Sequence, residues 1–244
     1  LFAGEQTRQE TAMIDVRRRT TLGRSSHDWL EARHHFSFGN YHHPGREAWG
    51  CVRAWNEDVI QPKSGFPMHP HRDMEIVTLV RSGVLTHEDS LGNSGRTSAG
   101  GIQVMSAGSG IRHTELNLES EPLSLAQIWI EPDRSDEDPR WSRAQGLGPQ
   151  DRTLWTTLVS GRGQPGALEI RADAEVLTGR ILQGEELVYE ARRRRRLYLV
   201  VIEGEGEING HPLSPGDGVA IRSETRITLR ALSPALEVLM TDTA

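Results

Sequence analysis

Short apolar or alternating segments, each cut off by a turn signal, recur along this chain and leave little room for anything but β structure. They read W-G-C-V-R-A-W from Trp49, M-E-I-V-T-L-V from Met74, G-V-L-T-H-E-D from Gly83, G-I-Q-V-M from Gly101 and L-A-Q-I-W-I from Leu125. L-Y-L-V-V-I from Leu197, G-E-I-N-G from Gly206, G-V-A-I from Gly218 and L-E-V-L-M from Leu236 continue the series. Runs this short, with R-S-G, L-G-N-S-G and S-A-G-G between them, are what strands joined by hairpins and tight turns produce. An apolar period of 3.6 is rare, so the spacing predicts few and short helices, one of them near Trp141 to Ala144.

The segments also repeat in order. V-T-L-V-R-S-G-V-L-T has a counterpart in L-V-V-I-E-G-E-G-E-I-N-G, and S-A-G-G-I-Q-V in S-P-G-D-G-V-A-I. A weak internal repeat of this kind predicts two β-barrels built alike, and 244 residues suffice for two cores. Between Glu131 and Arg152 the chain turns acidic and rich in Pro and Gly, which places the junction there. The expected division is a loose extension over 1–12, a first barrel over 13–135 and a second over 136–244.

Composition narrows the function classes. A net charge of −6 argues against a general phosphate-binding face, so no direct nucleic-acid partner is expected. The longest apolar runs are too short for a membrane helix, and no membrane partner is expected. One cysteine, Cys51, leaves no internal disulfide, and with no secretory pattern at the start the expected location is cytoplasmic. The basic run Arg192 to Arg196 leads directly into the apolar Leu197 to Ile202 and reads as a strand entry with solvated or ion-paired arginines.

The histidines are not spread evenly. Nine of ten lie between His27 and His113, and only His211 lies in the second half. Spacing gives this asymmetry a meaning. In an extended strand His69 and His71 of H-P-H project from one face, with Glu75 of the same parity, and His113 and Glu115 of H-T-E likewise share a face. Two such pairs on neighbouring strands can converge on one ion. Imidazoles with a carboxylate suit Fe(II), Ni, Cu, Mn, Co or Zn, and the lack of thiolates argues for an open, reactive site over a closed structural one.

These residues resemble a known family. Gly65, His69, His71, Glu75 and Gly83, followed by Gly101, Gly110, His113 and Asn117, are similar to the two metal motifs of the cupin superfamily. H-P-H-R-D-M-E, H-E-D-S-L-G-N, Q-V-M-S-A-G-S-G-I-R-H-T-E and H-H-F-S-F-G-N-Y resemble the pirin family more specifically, and the likeness runs over nearly the whole chain from Met13. The resemblance implies an all-β bicupin, two jelly-roll type barrels in tandem, with one divalent transition metal, Fe(II) preferred, in the first. It implies the ligands His69, His71, His113 and Glu115. Cupins in general take their carboxylate from the first motif, which nominates Glu75; here Glu75 is expected as a partner outside the ligand set or as a buried acid.

Other residues receive plainer readings. Met68, Met105 and His87 are candidates for the pocket wall, although His87 also has Glu88 and Asp89 beside it to satisfy it. Met74 reads as padding of the core. His34 and His35 read as structural, with Phe36 and Phe38 packing beneath, and His42 and His43 as loop residues. No phosphate loop or serine-hydrolase elbow is present, and Cys51 reads as buried and inert.

The resemblance implies an enzyme that cleaves the central ring of flavonols such as quercetin with O2 and releases CO; a carboxylate near a cation and an apolar wall can accept a proton, so Glu115 is also expected to take that of the substrate hydroxyl. The expected partners are then a flavonol-like small molecule and O2. Two other readings remain open at this stage: a metal-binding regulator with a protein partner, and a cupin isomerase or storage-like barrel.

Overall fold

The computed structural model describes residues 11–145 and 152–244. Most of the expected 1–12 extension and part of the Pro/Gly-rich junction lie outside the described residues. Strands of the first half are β1 (Met13–Arg17), β2 (Gly23–His27), β3 (Leu30–His34), β4 (Val52–Ile60), β5 (Ser64–His71) and β6 (Glu75–Ser82). They continue with β7 (Val84–Asp89), β8 (Ser94–Ser98), β9 (Ile102–Ser106), β10 (Ile111–Asn117), β11 (Leu123–Ile130) and β12 (Arg140–Ala144). The second half supplies β13 (Leu154–Ser160), β14 (Leu168–Glu169), β15 (Ala174–Leu182), β16 (Glu186–Glu190) and β17 (Arg196–Glu203). It ends with β18 (Gly206–Ile208), β19 (His211–Leu213), β20 (Gly218–Arg222), β21 (Arg226–Ala231) and β22 (Ala235–Thr243).

Each half packs a seven-stranded sheet against a four-stranded one, so the units are jelly-roll sandwiches and not closed barrels. The repeat glimpsed in the sequence is carried by the topology. The large sheets contain the orders β9-β6-β11-β4 and β20-β17-β22-β15, and the small ones β5-β10-β7-β8 and β16-β21-β18-β19, each the same arrangement eleven strands apart. The segments compared above fall on β6-β7 against β17-β18 and on β9 against β20.

Pairing at the two ends departs from the linear division. β1 lies antiparallel to β20, so the first strand of the chain completes the large sheet of the second sandwich. β12 lies beyond the expected boundary at 135 yet pairs with β9 of the first sandwich. The helix expected near Trp141 to Ala144 is therefore a strand: Trp141 stands opposite Met105, and the sheet edge offers hydrogen bonds that a lone helical turn in so short a segment would not replace. Among the described residues the only helical element is one 3-10 turn, Arg19–Thr21.

The largest apolar cluster joins the two sandwiches. Phe36, Trp55, Val77 and Ile128 from the first half meet Val159, Tyr198, Val200 and Leu239 from the second. His35 sits in this joint, its Nδ1 3.0 Å from the Tyr198 hydroxyl, and the Arg17 guanidinium lies 5.3 Å from the Tyr198 ring centre. Inside the second sandwich Leu187, Ile208, Ile227 and Leu229 fill the space between sheets with hydrocarbon. The first sandwich instead buries Asn56, Asp58, Thr78, Gln103, His113, Glu115 and Gln127. Polar side chains are costly to bury unless partnered, so their concentration in one of two matched sandwiches marks where the chemistry lies.

Candidate metal centre and ligand cavity

The small sheet of the first sandwich sets β5 and β10 side by side, antiparallel, with His69 opposite His113 and His71 opposite Ile111. Alternation along β5 sends His69 and His71 inward while Met68 and Pro70 face out; along β10 it buries His113 and Glu115 and exposes Arg112. Gly65 allows the strands to close up: a Cβ there would lie 2.3 Å from the Glu115 carbonyl oxygen, and its φ of 151° lies outside the range favoured by other residues. The pairing of β10 with β5 is irregular between His113 and Glu115.

The result is a cluster of three imidazoles. One nitrogen from each of His69, His71 and His113 lies within 4.8 Å of the others, and among the described residues this is the group fit to hold a metal ion. His69 Nδ1 donates to the Pro67 carbonyl at 2.7 Å, which leaves Nε2 as the lone-pair nitrogen. That Nε2 faces His113 Nε2 at 3.1 Å. Two nitrogens each ~2.1 Å from one ion at right angles would stand about 3.0 Å apart, so the spacing matches shared ligation. Burial, reinforced by the neighbouring His69, lowers the pKa of His71 to about 4, and burial with His69, His71 and His87 lowers that of His113 to about 2. Both rings are thus neutral at physiological pH, the form that ligates.

Glu115 lies outside this group of three. Its carboxylate accepts from Gln103 Nε2 at 2.9 Å and from Gln127 Nε2 at 2.7 Å, with Thr78 Oγ1 at 3.4 Å. Trp129 Nε1 donates to Gln127 Oε1 at 2.9 Å and so turns the Gln127 amide to present its NH2 to Glu115. Burial pushes the Glu115 pKa up, against the pull of the Gln127 hydrogen bond.

Glu115 and the imidazoles of His69 and His71 open onto a cavity of about 320 Å³. Its walls are aromatic and apolar where Phe38, Phe66 and Trp129 line it, and polar at Asn56, Asp58 and Gln127. Asp58 is 4% exposed, and its Oδ1 has no hydrogen-bond partner among the described residues. Burial, then the charges of Glu115 and Glu57, push its pKa up to about 7. His34 lines the same cavity; its Nδ1 donates to Asn56 Oδ1 at 2.8 Å and its Nε2 accepts from Ser25 Oγ at 2.8 Å.

The other candidates fall elsewhere. Met68 is 45% exposed on the outer face of β5, and Met105 is core packing with Ile76, Ala107 and Ile111; neither lines the cavity. Glu75 begins β6, past a turn that breaks the parity with His71, and is a buried acid accepting from Ser106 Oγ at 2.6 Å. His87 lies behind His113, with its Nδ1 3.4 Å from His113 Nδ1. Cys51 is half-buried, and burial pushes its thiol up to about 11, in keeping with an inert side chain. Of the arginine run, Arg195 is tied to Asp173 and Asp242, whereas Arg192, Arg193 and Arg194 are exposed. No helix among the described residues is long and apolar enough to cross a membrane.

Sequence reasoning missed Asn56, Asp58, Gln127 and Trp129 as cavity residues. The available signal was N-E-D embedded in β4, a strand that is buried over Ala54–Asp58 on both faces.

Two matched jelly-roll sandwiches, one with an inward three-histidine cluster, define a bicupin with a candidate metal centre. Residues 15–130 match the pirin family model, and residues 157–243 match that of the quercetinase C-terminal cupin domain. The chain belongs to the pirin family. It is 47% identical over 234 residues to a pirin-like protein of Caulobacter vibrioides, covering 95% of this chain and 100% of that one. It is 39% identical over 231 residues to the quercetin 2,3-dioxygenase of Escherichia coli K12, covering 94% and 98%. The crystal structure of the bacterial pirin YhhW from E. coli in complex with nickel(II) superimposes with a TM-score of 0.89 at 38% identity, covering 95% of this chain and 99% of that one.

Proposed function

We propose that this protein is a metal-dependent dioxygenase that opens the central ring of flavonols such as quercetin with O2 and releases CO. The observation that carries the reading is the shared cavity: the His69 and His71 imidazoles and the Glu115 carboxylate face one space whose walls include the flat rings of Phe38, Phe66 and Trp129. A volume of about 320 Å³ is at the small end for ligand sites, which span about 300–1,000 Å³, and suits one compact planar molecule. The activity named for the E. coli relative agrees with this reading.

His69, His71 and His113 would hold a divalent transition metal, with Glu115 as the proposed fourth ligand and Fe(II) the preferred ion. When bound, the ion supplies a Lewis-acid template for the substrate oxygens and a path for electrons to O2. The protein's own part is to position and to move a proton. Phe38 and Trp129, packed edge to face with ring centroids 5.3 Å apart, form one apolar wall for the ring system to lie against. Glu115, buried and raised in pKa, takes the proton of the flavonol 3-hydroxyl; Gln103 and Gln127 keep its oxygens aimed and stabilise the charge before transfer. Asp58 offers its unpartnered oxygen to a second hydroxyl and fixes the molecule's long axis.

Adding quercetin to the metal-loaded protein under a limited supply of O2 tests the proposal: O2 uptake accompanied by CO supports it. A full metal site with no CO would favour a second reading, a metal-binding regulator, for which the exposed Arg192, Arg193 and Arg194 are the surface to test by charge reversal and partner capture.

A further inference from the structure

Behind the three imidazoles runs a line of buried polar groups that the proposed reaction does not use. His87 on β7 and Asp89 at its end are 0% and 8% exposed, and β7 lies directly against β10, with Asp89 opposite His113 and His87 opposite Glu115. His87 Nε2 stands 3.1 Å from Asp89 Oδ2, and His87 Nδ1 stands 3.4 Å from His113 Nδ1. The His87 ring is held flat against Trp141, with centroids 4.8 Å apart and planes 4° from parallel.

The donors and acceptors can be ordered from the far end. Asp89 accepts from the Leu91 and Asn93 backbone N–H groups and from the Asn93 amide, the pattern of an ionised carboxylate. An ionised carboxylate only accepts, so the proton between Asp89 and His87 sits on His87 Nε2. With Nε2 committed to Asp89, His87 turns Nδ1 to His113 Nδ1 at 3.4 Å as the accepting nitrogen, which puts the proton between the two rings on His113 Nδ1. His113 is left with its lone pair on Nε2, the nitrogen that faces His69 Nε2 at 3.1 Å.

We infer that Asp89 and His87 are positioning residues that fix the tautomer and ring angle of His113, so that its Nε2 is presented to the metal before any ion arrives. The inference rests on the reading of the imidazole cluster as a metal centre, but not on the proposed substrate. Without the relay His113 can exchange tautomers or turn its ring, and outer partners of ligand histidines typically carry 10–100-fold in metal affinity.

Equilibrium affinity for Ni2+, measured on the full-length apoprotein by competition with a chelator, provides one readout. His87→Phe keeps a ring against Trp141 but removes the acceptor, and its affinity should fall at least tenfold. His87→Asn places an amide oxygen near the lost Nδ1 and should recover most of that loss. Asp89→Asn should fall between them. Imidazole 15N NMR of the apoprotein provides the second readout: His113 should carry its proton on Nδ1 in wild type and lose that preference in His87→Phe. A His87→Phe variant that binds Ni2+ as tightly as wild type, or an Nε2–H tautomer of His113 in the wild-type apoprotein, overturns the inference. If wild type takes up no divalent ion, the metal-centre reading itself fails, and the NMR experiment still decides the relay.

Discussion

Nε2 of His69 and Nε2 of His113 face each other at 3.1 Å across β5 and β10, and the remaining nitrogen of each ring already has a partner in the protein. In the proposed metal centre these two nitrogens turn their lone pairs to one ion. Replacing His69, His71 or His113 singly by Ala should therefore reduce bound metal to well below one ion per chain, measured by elemental analysis. A divalent ion at a hundred times its Kd should add about 2.7 kcal/mol to the stability of wild type, a rise in Tm of roughly 5–10 °C, and none to His113→Ala.

Glu115 is proposed to act on the proton as well as to ligate. Glu115→Gln keeps the shape and a carbonyl oxygen but removes the base, so turnover should fall by about 10²–10⁴-fold while metal content falls far less. Equal losses of metal and turnover would assign Glu115 to ligation alone.

Asp58 has a buried oxygen without a partner among the described residues and stands in the cavity wall. Asp58→Ala should raise KM for a polyhydroxylated flavonol about tenfold, the worth of one hydrogen bond to a polar or charged acceptor, with metal content unchanged. A flavonol lacking the distal hydroxyls should be insensitive to the same change.

The joint between the sandwiches offers a prediction independent of metal. A Cβ on Gly218 would lie 2.4 Å from the Tyr198 hydroxyl and 2.7 Å from His35 Nδ1, and both of those side chains are fully buried. Gly218→Ala should cost about 1–3 kcal/mol, read as a lower midpoint in chemical denaturation.

His35 gives that joint an acid sensitivity. Burial, helped by the Arg17 charge, lowers its pKa to about 3, whereas in the unfolded chain it titrates near 6.5. The unfolded state binds the extra proton between those values, so the contribution is fully present above about pH 6.5 and is lost as pH falls toward 3. Between pH 7 and pH 4.5 wild type should lose about 2–3 kcal/mol more than His35→Gln, compared by denaturation at the two pH values.

Much of this was legible in the residues. The period-2 runs and their repetition revealed two like halves because strand alternation and turn chemistry are local properties. H-P-H and H-T-E were legible because residues two apart share a strand face whatever the fold. The strand at Arg140–Ala144 was misread because its pairing with β9 is a long-range contact that its own sequence does not signal. For the same reason β1 could not be assigned to the second sandwich from its own five residues. Met68 was a poor pocket candidate by the same alternation that selected His69. Asp58 and Gln127 remained hidden because strands buried on both faces lose the alternation that marks an inward side chain.

Metal-dependent flavonol dioxygenase activity can be decided on a single sample. Protein purified without O2 is loaded with Fe(II) and assayed for bound metal, then given quercetin while O2 uptake and CO release are recorded together. Quercetin consumed, O2 taken up and CO released should be equal in amount, at a rate in proportion to metal bound, and absent from His113→Ala. Undiminished quercetin over a fully loaded site, or oxidation without CO, would contradict the dioxygenase reading.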